Sequence, residues 1–278
     1  MNGMILAAVV VGGTGLVIAA LLGVASEKFK VPVDEKEIAV RDCLPGNNCG
    51  GCGYAGCDGL AKAIAAGEAP VGACPVGGSL VADQIAAIMG VEADSAEKQV
   101  AFVKCAGTCE KAKIKYIYSG NEDCVSAASV PGGGPKACEY GCTGFGSCVK
   151  VCDFDAIHIV DGIAEVDPEK CVACGKCTAV CPKSLIELIP YTASKEGMKV
   201  HCNSRGFGKP VKEVCKAGCI GCKMCTRVCE TGSITVNNNI AHIDYSTCTN
   251  CGACAAKCPS KIIYINSDED SSAKTAAV

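Results

Sequence analysis

Two runs of cysteine constrain this chain more than any other feature: Cys171-x2-Cys174-x2-Cys177-x3-Cys181-Pro182 and Cys248-x2-Cys251-x2-Cys254-x3-Cys258-Pro259. Thiols at i, i+3 and i+6 wrap one face of a small inorganic cube with the backbone amides turned inward. A fourth thiol from a remote run closes the far corner. Each run has such a partner. Cys138-x3-Cys142-x5-Cys148-x3-Cys152 precedes the first and Cys219-x2-Cys222-x2-Cys225-x3-Cys229 the second, and the gaps from Cys152 to Cys171 and from Cys229 to Cys248 are both 19 positions. In paired runs of this order the fourth Cys of each run ligates the other run's [4Fe–4S] cluster. Cys181 is therefore expected with Cys138, Cys142 and Cys148, and Cys152 with Cys171, Cys174 and Cys177. Likewise Cys258 is expected with Cys219, Cys222 and Cys225, and Cys229 with Cys248, Cys251 and Cys254. Disulfide pairing has no reason to produce this order, and zinc sites rarely use it.

The segments inside the two gaps also correspond. Ala156 to Asp167 and Ser233 to Asp244 each read as two short strands around a tight turn, Asp161-Gly162 and Asn238-Asn239. The chain thus holds an internal duplication of a module resembling the two-cluster bacterial ferredoxins. Earlier in the chain, Cys49-x2-Cys52-x4-Cys57 and Cys74-Pro75 supply four more thiols, the last returning after a helix predicted over Asp58 to Gly67 with Asp58 as N-cap. That set suits a fifth [4Fe–4S] cluster, although zinc also accepts four thiolates. A further helix is predicted over Ser79 to Met89, stopping at Gly90. Cysteine makes up 26 of 278 residues, against 7 Tyr, 5 Phe and no Trp. Metal loading, and not a large aromatic core, is therefore expected to drive folding. A net charge of −3 gives no basic excess for nucleic acid. No GxGxxG, P-loop, HExxH or GxSxG occurs, so no dinucleotide site, NTPase or hydrolase machinery is expected.

From Ile5 to Ala25 the chain runs 21 residues without a charge, about 31 Å as a helix and enough for a bilayer core. A cleaved signal peptide is the rival reading, but no Lys or Arg precedes Lys28, so its basic n-region is missing. A retained single-pass helix with the bulk of the chain on the cytoplasmic side follows from Lys28 and Lys30 just past it. Gly15, Ala19 and Gly23 form one small-residue face for a partner helix. The expected organisation is α+β: anchor 1–27, four-Cys cluster domain 28–92, connecting segment 93–135, ferredoxin module 136–190, inter-module segment 191–214, second module 215–266 and a disordered tail 267–278. Six cysteines remain: Cys43, Cys105, Cys109, Cys124, Cys202 and Cys215. They read first as buried free thiols. The alternative joins Cys105, Cys124, Cys202 and Cys215 in one extra site for zinc or a sixth cluster, to which His201 would add a ligand.

The order of anchor, four-Cys domain and serial ferredoxin modules resembles the B subunits of the Rnf complexes, bacterial membrane ferredoxin:NAD oxidoreductases that move Na⁺ or H⁺. The likeness spans essentially the whole chain and is closest at Asn48 to Cys57, Lys115 to Cys124 and Pro131 to Cys138. Two ferredoxin modules make it similar to the long form of anaerobes. The resemblance implies that the chain takes electrons from soluble reduced ferredoxin and relays them to membrane subunits in the cell (inner) membrane, with NAD bound on a partner. Docking of an acidic ferredoxin needs a local basic patch, for which Lys195, Lys199, Arg205, Lys209, Lys212 and Lys216 are the candidates, a merely solvated lysine-rich loop being the alternative reading of the same residues. Asp153 and Glu230 depart from the Pro common after such cysteines. The competing function is a membrane-tethered polyferredoxin serving a hydrogenase, a disulfide reductase or an Rsx-type system that reduces a redox sensor.

Overall fold

The computed structural model describes residues 2–28, 34–93 and 97–265, with the side chains of 2, 4–10, 26 and 27 outside the description. The expected tail, 267–278, lies outside the described residues. Helix α1 (Asn2–Lys28) is followed by α2 (Glu35–Cys43), α3 (Cys57–Ala65) and α4 (Gly78–Met89), then by β1 (Gln99–Val103) and α5 (Cys124–Ser129). The first module adds α6 (Ser147–Lys150), β2 (Ile157–Val160), β3 (Ile163–Val166), α7 (Lys176–Val180) and β4 (Ile186–Pro190). After α8 (Tyr191–Glu196), β5 (Lys199–Val200) and α9 (Lys209–Val214), the second adds α10 (Met224–Arg227), β6 (Ile234–Asn237), β7 (Ile240–Ile243), α11 (Ala253–Lys257) and β8 (Ile263–Tyr264). Helices and small antiparallel sheets are mixed, as expected of α+β.

Helix α1 is unbroken over 27 residues. Part of the expected span, residues 5–10, has side chains outside the description. Among the described residues no helix is long and apolar enough to cross a membrane, so the structure does not supply the expected transmembrane helix. Among the same residues α1 packs substantially on no other element, and Val11, Leu16, Val17, Ile18, Leu21, Leu22 and Val24 are all exposed.

Helices α2, α3 and α4 enclose a small core of Val40, Leu60, Ile64 and Ile85. Asp34 caps α2 by accepting from the Lys36 amide at 3.0 Å. The cap expected at Asp58 is absent because α3 begins one residue earlier, at Cys57. The Cys57 amide donates to Asn48 Oδ1 at 2.8 Å, and Asp58 instead pairs with Arg41 at 2.5 Å. The stops are as predicted, with Gly67 at φ 75° and Gly90 at φ 71°, a conformation that costs other side chains more.

Both predicted hairpins form. β2 pairs with β3 through Asp161 and Gly162, and β6 with β7 through Asn238 and Asn239. All four turn residues have positive φ, the requirement of a two-residue turn that follows the strand twist. Two further pairings have no counterpart in the sequence reading. β1 pairs antiparallel with β4, Val100 opposite Ile189, and β5 with β8, Val200 opposite Ile263. Each module is thus closed by a strand from outside its cysteine runs. The Lys104 amide then donates to Leu185 O and the His201 amide to Ile262 O, so the chain leaves the two strands in the same way.

Of the six cations of the expected patch, Arg205, Lys209, Lys212 and Lys216 are exposed, and Lys199 is buried by this packing. Lys199, at the start of β5, is fully buried, donates to Ser194 O and lies over the Phe102 ring. Burial pulls its ammonium down to about 8. Lys195 is paired with Glu169, and Lys212 donates to Pro259 O.

Candidate metal centres

The cysteine loops share one backbone conformation. In Cys171–Cys177 the residues flanking the central Cys174, Ala173 and Gly175, both have positive φ. Asn250 and Gly252 do the same around Cys251, and Gly221 and Lys223 around Cys222. Left-handed residues on either side of a central Cys curl the chain, so that three thiols face one point. Alanine, asparagine and lysine hold this conformation at a cost, which the surroundings must offset.

Three cavities mark the points on which these loops close. One is lined by Cys152, Cys171, Cys174 and Cys177. A second is lined by Cys219, Cys222, Cys225 and Cys258, and a third by Cys229, Cys248, Cys251 and Cys254. Each cavity brings three thiols of one run beside the last thiol of the other. None of the 26 cysteines forms a disulfide. Among the described residues no three His, Cys, Asp or Glu groups converge as the shell of one metal ion does.

Backbone amides point at several sulfurs. Ala101 N donates to Cys171 Sγ at 3.3 Å, Leu185 N to Cys181 Sγ at 3.5 Å and Gly77 N to Cys74 Sγ at 3.4 Å. Such bonds favour the thiolate and raise the reduction potential of a sulfur-ligated centre. Burial acts the other way on the thiols themselves, pushing Cys148 and Cys177 up to about 12 and Cys225 to about 11, with neighbouring sulfurs adding to it. A cationic iron core reverses that preference, since it ligates only thiolate. Asp153, after Cys152, pairs with Lys176 at 2.5 Å and so ties the two halves of the module together.

In the four-Cys domain Cys57 and Cys74 are buried, and Cys52 and Cys57 are the sulfurs whose charge acts on Cys74. Gly50 and Gly53, the residues that follow Cys49 and Cys52, are at positive φ. Between Gly50 and Cys52, Gly51 lies flat on the first module: a Cβ there would stand 2.9 Å from Cys174 O and 3.1 Å from Cys174 Cβ. Cys49 is accordingly among the charges acting on Cys174. Valine at position 51 is expected to overpack this contact at a cost of about 1–3 kcal/mol. It should slow electron passage between the four-Cys domain and the module while iron content stays unchanged, measured by stopped-flow reduction alongside iron assay.

The six remaining cysteines divide. Cys43 packs against the α2–α4 core and Cys109 is exposed. Cys105, Cys202 and Cys215 line a fourth cavity, and its fourth cysteine is Cys138 in place of the expected Cys124. Cys124 is instead a neighbour of Cys148, together with Cys142 and Cys181, because α5 carries it to the first module's loop. His201 lines the fourth cavity too, neutral and stacked on the Tyr264 ring at 3.8 Å.

A chain built around several such thiol sets, in tandem ferredoxin-like modules, belongs to the multi-cluster iron–sulfur proteins. Family models agree: a putative Fe-S cluster domain matches residues 44–76, a 4Fe-4S binding domain residues 163–186 and a 4Fe-4S dicluster domain residues 218–262. The chain is 44% identical to the B subunit of the Na(+)-translocating ferredoxin:NAD(+) oxidoreductase complex of Acetobacterium woodii, over 95% of this chain and 78% of that one. It is 42% identical to the B subunit of the ion-translocating oxidoreductase complex of Methanosarcina acetivorans, over 92% and 96%. With the B subunit of the proton-translocating ferredoxin:NAD(+) oxidoreductase complex of Clostridium ljungdahlii the identity is 39%, over 95% and 93%. The chain belongs to this family, the B subunits of the Rnf complexes.

Proposed function

We propose that this chain receives electrons from soluble reduced ferredoxin and conducts them to membrane subunits of an ion-translocating complex, with NAD bound on a partner. The observation that carries the reading is the series of four-thiol sites, from the second module to the contact of Gly51 with Cys174. Bound there, [4Fe–4S] clusters supply one-electron carriage without proton transfer. The ligands would be Cys49, Cys52, Cys57 and Cys74; Cys152, Cys171, Cys174 and Cys177; Cys219, Cys222, Cys225 and Cys258; and Cys229, Cys248, Cys251 and Cys254. Cys142, Cys148 and Cys181 hold a fifth with one further thiol. What the protein itself supplies is spacing, amide donors to sulfur and burial that keeps water off the sites.

Helix α1 is the membrane anchor in this reading. Its side chains at 11, 16–18, 21, 22 and 24 are apolar and exposed, and Lys28 at its end keeps the cluster-bearing bulk on the cytoplasmic side. The test is to mix anaerobically purified, iron-loaded chain with reduced ferredoxin and follow both by absorbance and EPR. Ferredoxin should be oxidised as the chain's clusters are reduced. A chain that dithionite reduces but ferredoxin does not would overturn the assignment.

A further inference from the structure

The fourth cavity, between the two modules, has the thiol count of the other three. Its four sulfurs are those of Cys105, Cys138, Cys202 and Cys215. Its construction is two-fold. Cys138-Glu-Tyr-Gly-Cys142 and Cys215-Lys-Ala-Gly-Cys219 lie 77 positions apart, the same offset that relates Cys148 to Cys225, Cys152 to Cys229 and Cys171 to Cys248. Cys105 and Cys202 each follow the strand that closes a module, β1 and β5.

The sulfur environments repeat as well. Cys105 Sγ accepts from Gly107 N and Cys142 N, both at 3.4 Å. Cys202 Sγ accepts from Ser204 N at 3.4 Å and Cys219 N at 3.2 Å. The second donor in each case is the first cysteine of the adjoining cluster loop, so this cavity touches one site of each module. Lys136, buried at its rim, donates to Gly107 O and Gly162 O and sets a positive charge beside the sulfurs.

The same offset explains Cys138. In the second module Cys219, Cys222 and Cys225 form the cluster loop, and Cys215 stands before it. In the first, Cys142 and Cys148 match Cys219 and Cys225, Cys138 matches Cys215, and Phe145 occupies the place of Cys222. The loop conformation is retained: Gly144 and Gly146 flank Phe145 at positive φ as Gly221 and Lys223 flank Cys222. The missing thiol comes from Cys124. Asp123 caps α5 and accepts from Ser147 Oγ at 2.7 Å, and Ser147 Oγ accepts from the Cys124 amide at 2.8 Å, which fastens Cys124 beside Cys148.

We propose that Cys105, Cys138, Cys202 and Cys215 ligate a sixth [4Fe–4S] cluster that bridges the two ferredoxin modules, and that Cys124, in place of Cys138, completes the site of Cys142, Cys148 and Cys181. This rests on the reading of the chain as a cluster-bearing conductor and joins its two halves. Assembly takes four iron ions and four sulfides, and the four thiols give up their protons as they bind iron. Only Cys43 and Cys109 then remain as thiols.

The deciding experiment is iron, acid-labile sulfide and zinc per full-length chain purified anaerobically, with an EPR-monitored redox titration. About 24 iron atoms and no zinc are expected, six cubes of four. The double variant Cys202→Ser/Cys215→Ser should hold about 20 and lack one titrating centre. Cys138→Ser should lose that same centre, whereas Cys124→Ser should lose a different one. About 20 iron atoms in the unaltered chain, with or without one zinc, would overturn the sixth cluster and leave the electron-transfer reading intact. Little iron in properly loaded chain would overturn both. If Cys138→Ser and Cys124→Ser remove the same centre, the exchange of ligands is wrong. Should the double variant fail to fold, the count on the unaltered chain still decides.

Discussion

Iron removal by a chelator is expected to unfold residues 99–265 almost completely, while residues 34–93 keep much of their helix. The helices of the modules and their connecting segments are four to six residues long, and every sheet has only two strands among the described residues. Elements of that length do not stand in water by themselves. What holds them is a pair of cores in which cysteines occupy central positions: Cys105, Cys142, Cys148, Cys171 and Cys177 with Val100, Ile157 and Ile189 in one, and Cys202, Cys225 and Cys254 with Ile234 and Ile262 in the other. Without iron, the thiols that line each cavity lose the core that joins the two runs of a module. The four-Cys domain differs. Its helices of nine, nine and twelve residues are longer, and Val40, Leu60, Ile64 and Ile85 supply most of a core in which Cys57 and Cys74 are also buried. Far-UV circular dichroism and limited proteolysis before and after chelation, with peptide mapping, measure this. Equal loss in both regions would show that the small helical core depends on its cluster as fully as the modules do.

Deleting residues 2–28 is expected to move the chain from the membrane fraction to the supernatant with its iron content unchanged. Among the described residues α1 packs substantially on no other element, so its removal uncovers no core. The change should therefore be close to all-or-none in partition and near zero in cluster content. A helix whose apolar side chains are exposed from Val11 to Val24 is a liability in water, and a lipid or protein environment is its ordinary destination. Fractionation of cells expressing both forms, with iron assay of each fraction, gives the result. A deleted form that stays with the membrane would place the attachment in the cluster-bearing part of the chain, through its partner subunits.

The local parts of this protein were legible in its cysteine spacing. Three thiols at i, i+3 and i+6 can face one point only if the residues between them curl, and Ala173, Gly175, Asn250 and Gly252 do so. The hairpins follow from Asp161-Gly162 and Asn238-Asn239, which accept the positive φ of a two-residue turn. The 19-residue gaps set the duplication. All of these are interactions over a few positions, and spacing along a chain encodes them directly.

The interface between the modules was not legible in this way, because its parts come from places far apart along the chain. Nothing around Gln99–Val103 names β4 as its partner, and the burial of Lys199 follows only once β5 lies against β8. The convergence of Cys105, Cys138, Cys202 and Cys215 is of the same kind. One signal for it was present: the 77-residue offset aligns Cys138 with Cys215 and leaves Phe145 where a ligand should be. That thiols gather in threes is a matter of local backbone curvature, and the order of residues is enough to dictate it. Run order also named the distant thiols Cys152, Cys258 and Cys229 that complete three of the sets, whereas the thiol beside Cys148 and the site between the modules depend on how α5, β1 and β5 pack in three dimensions.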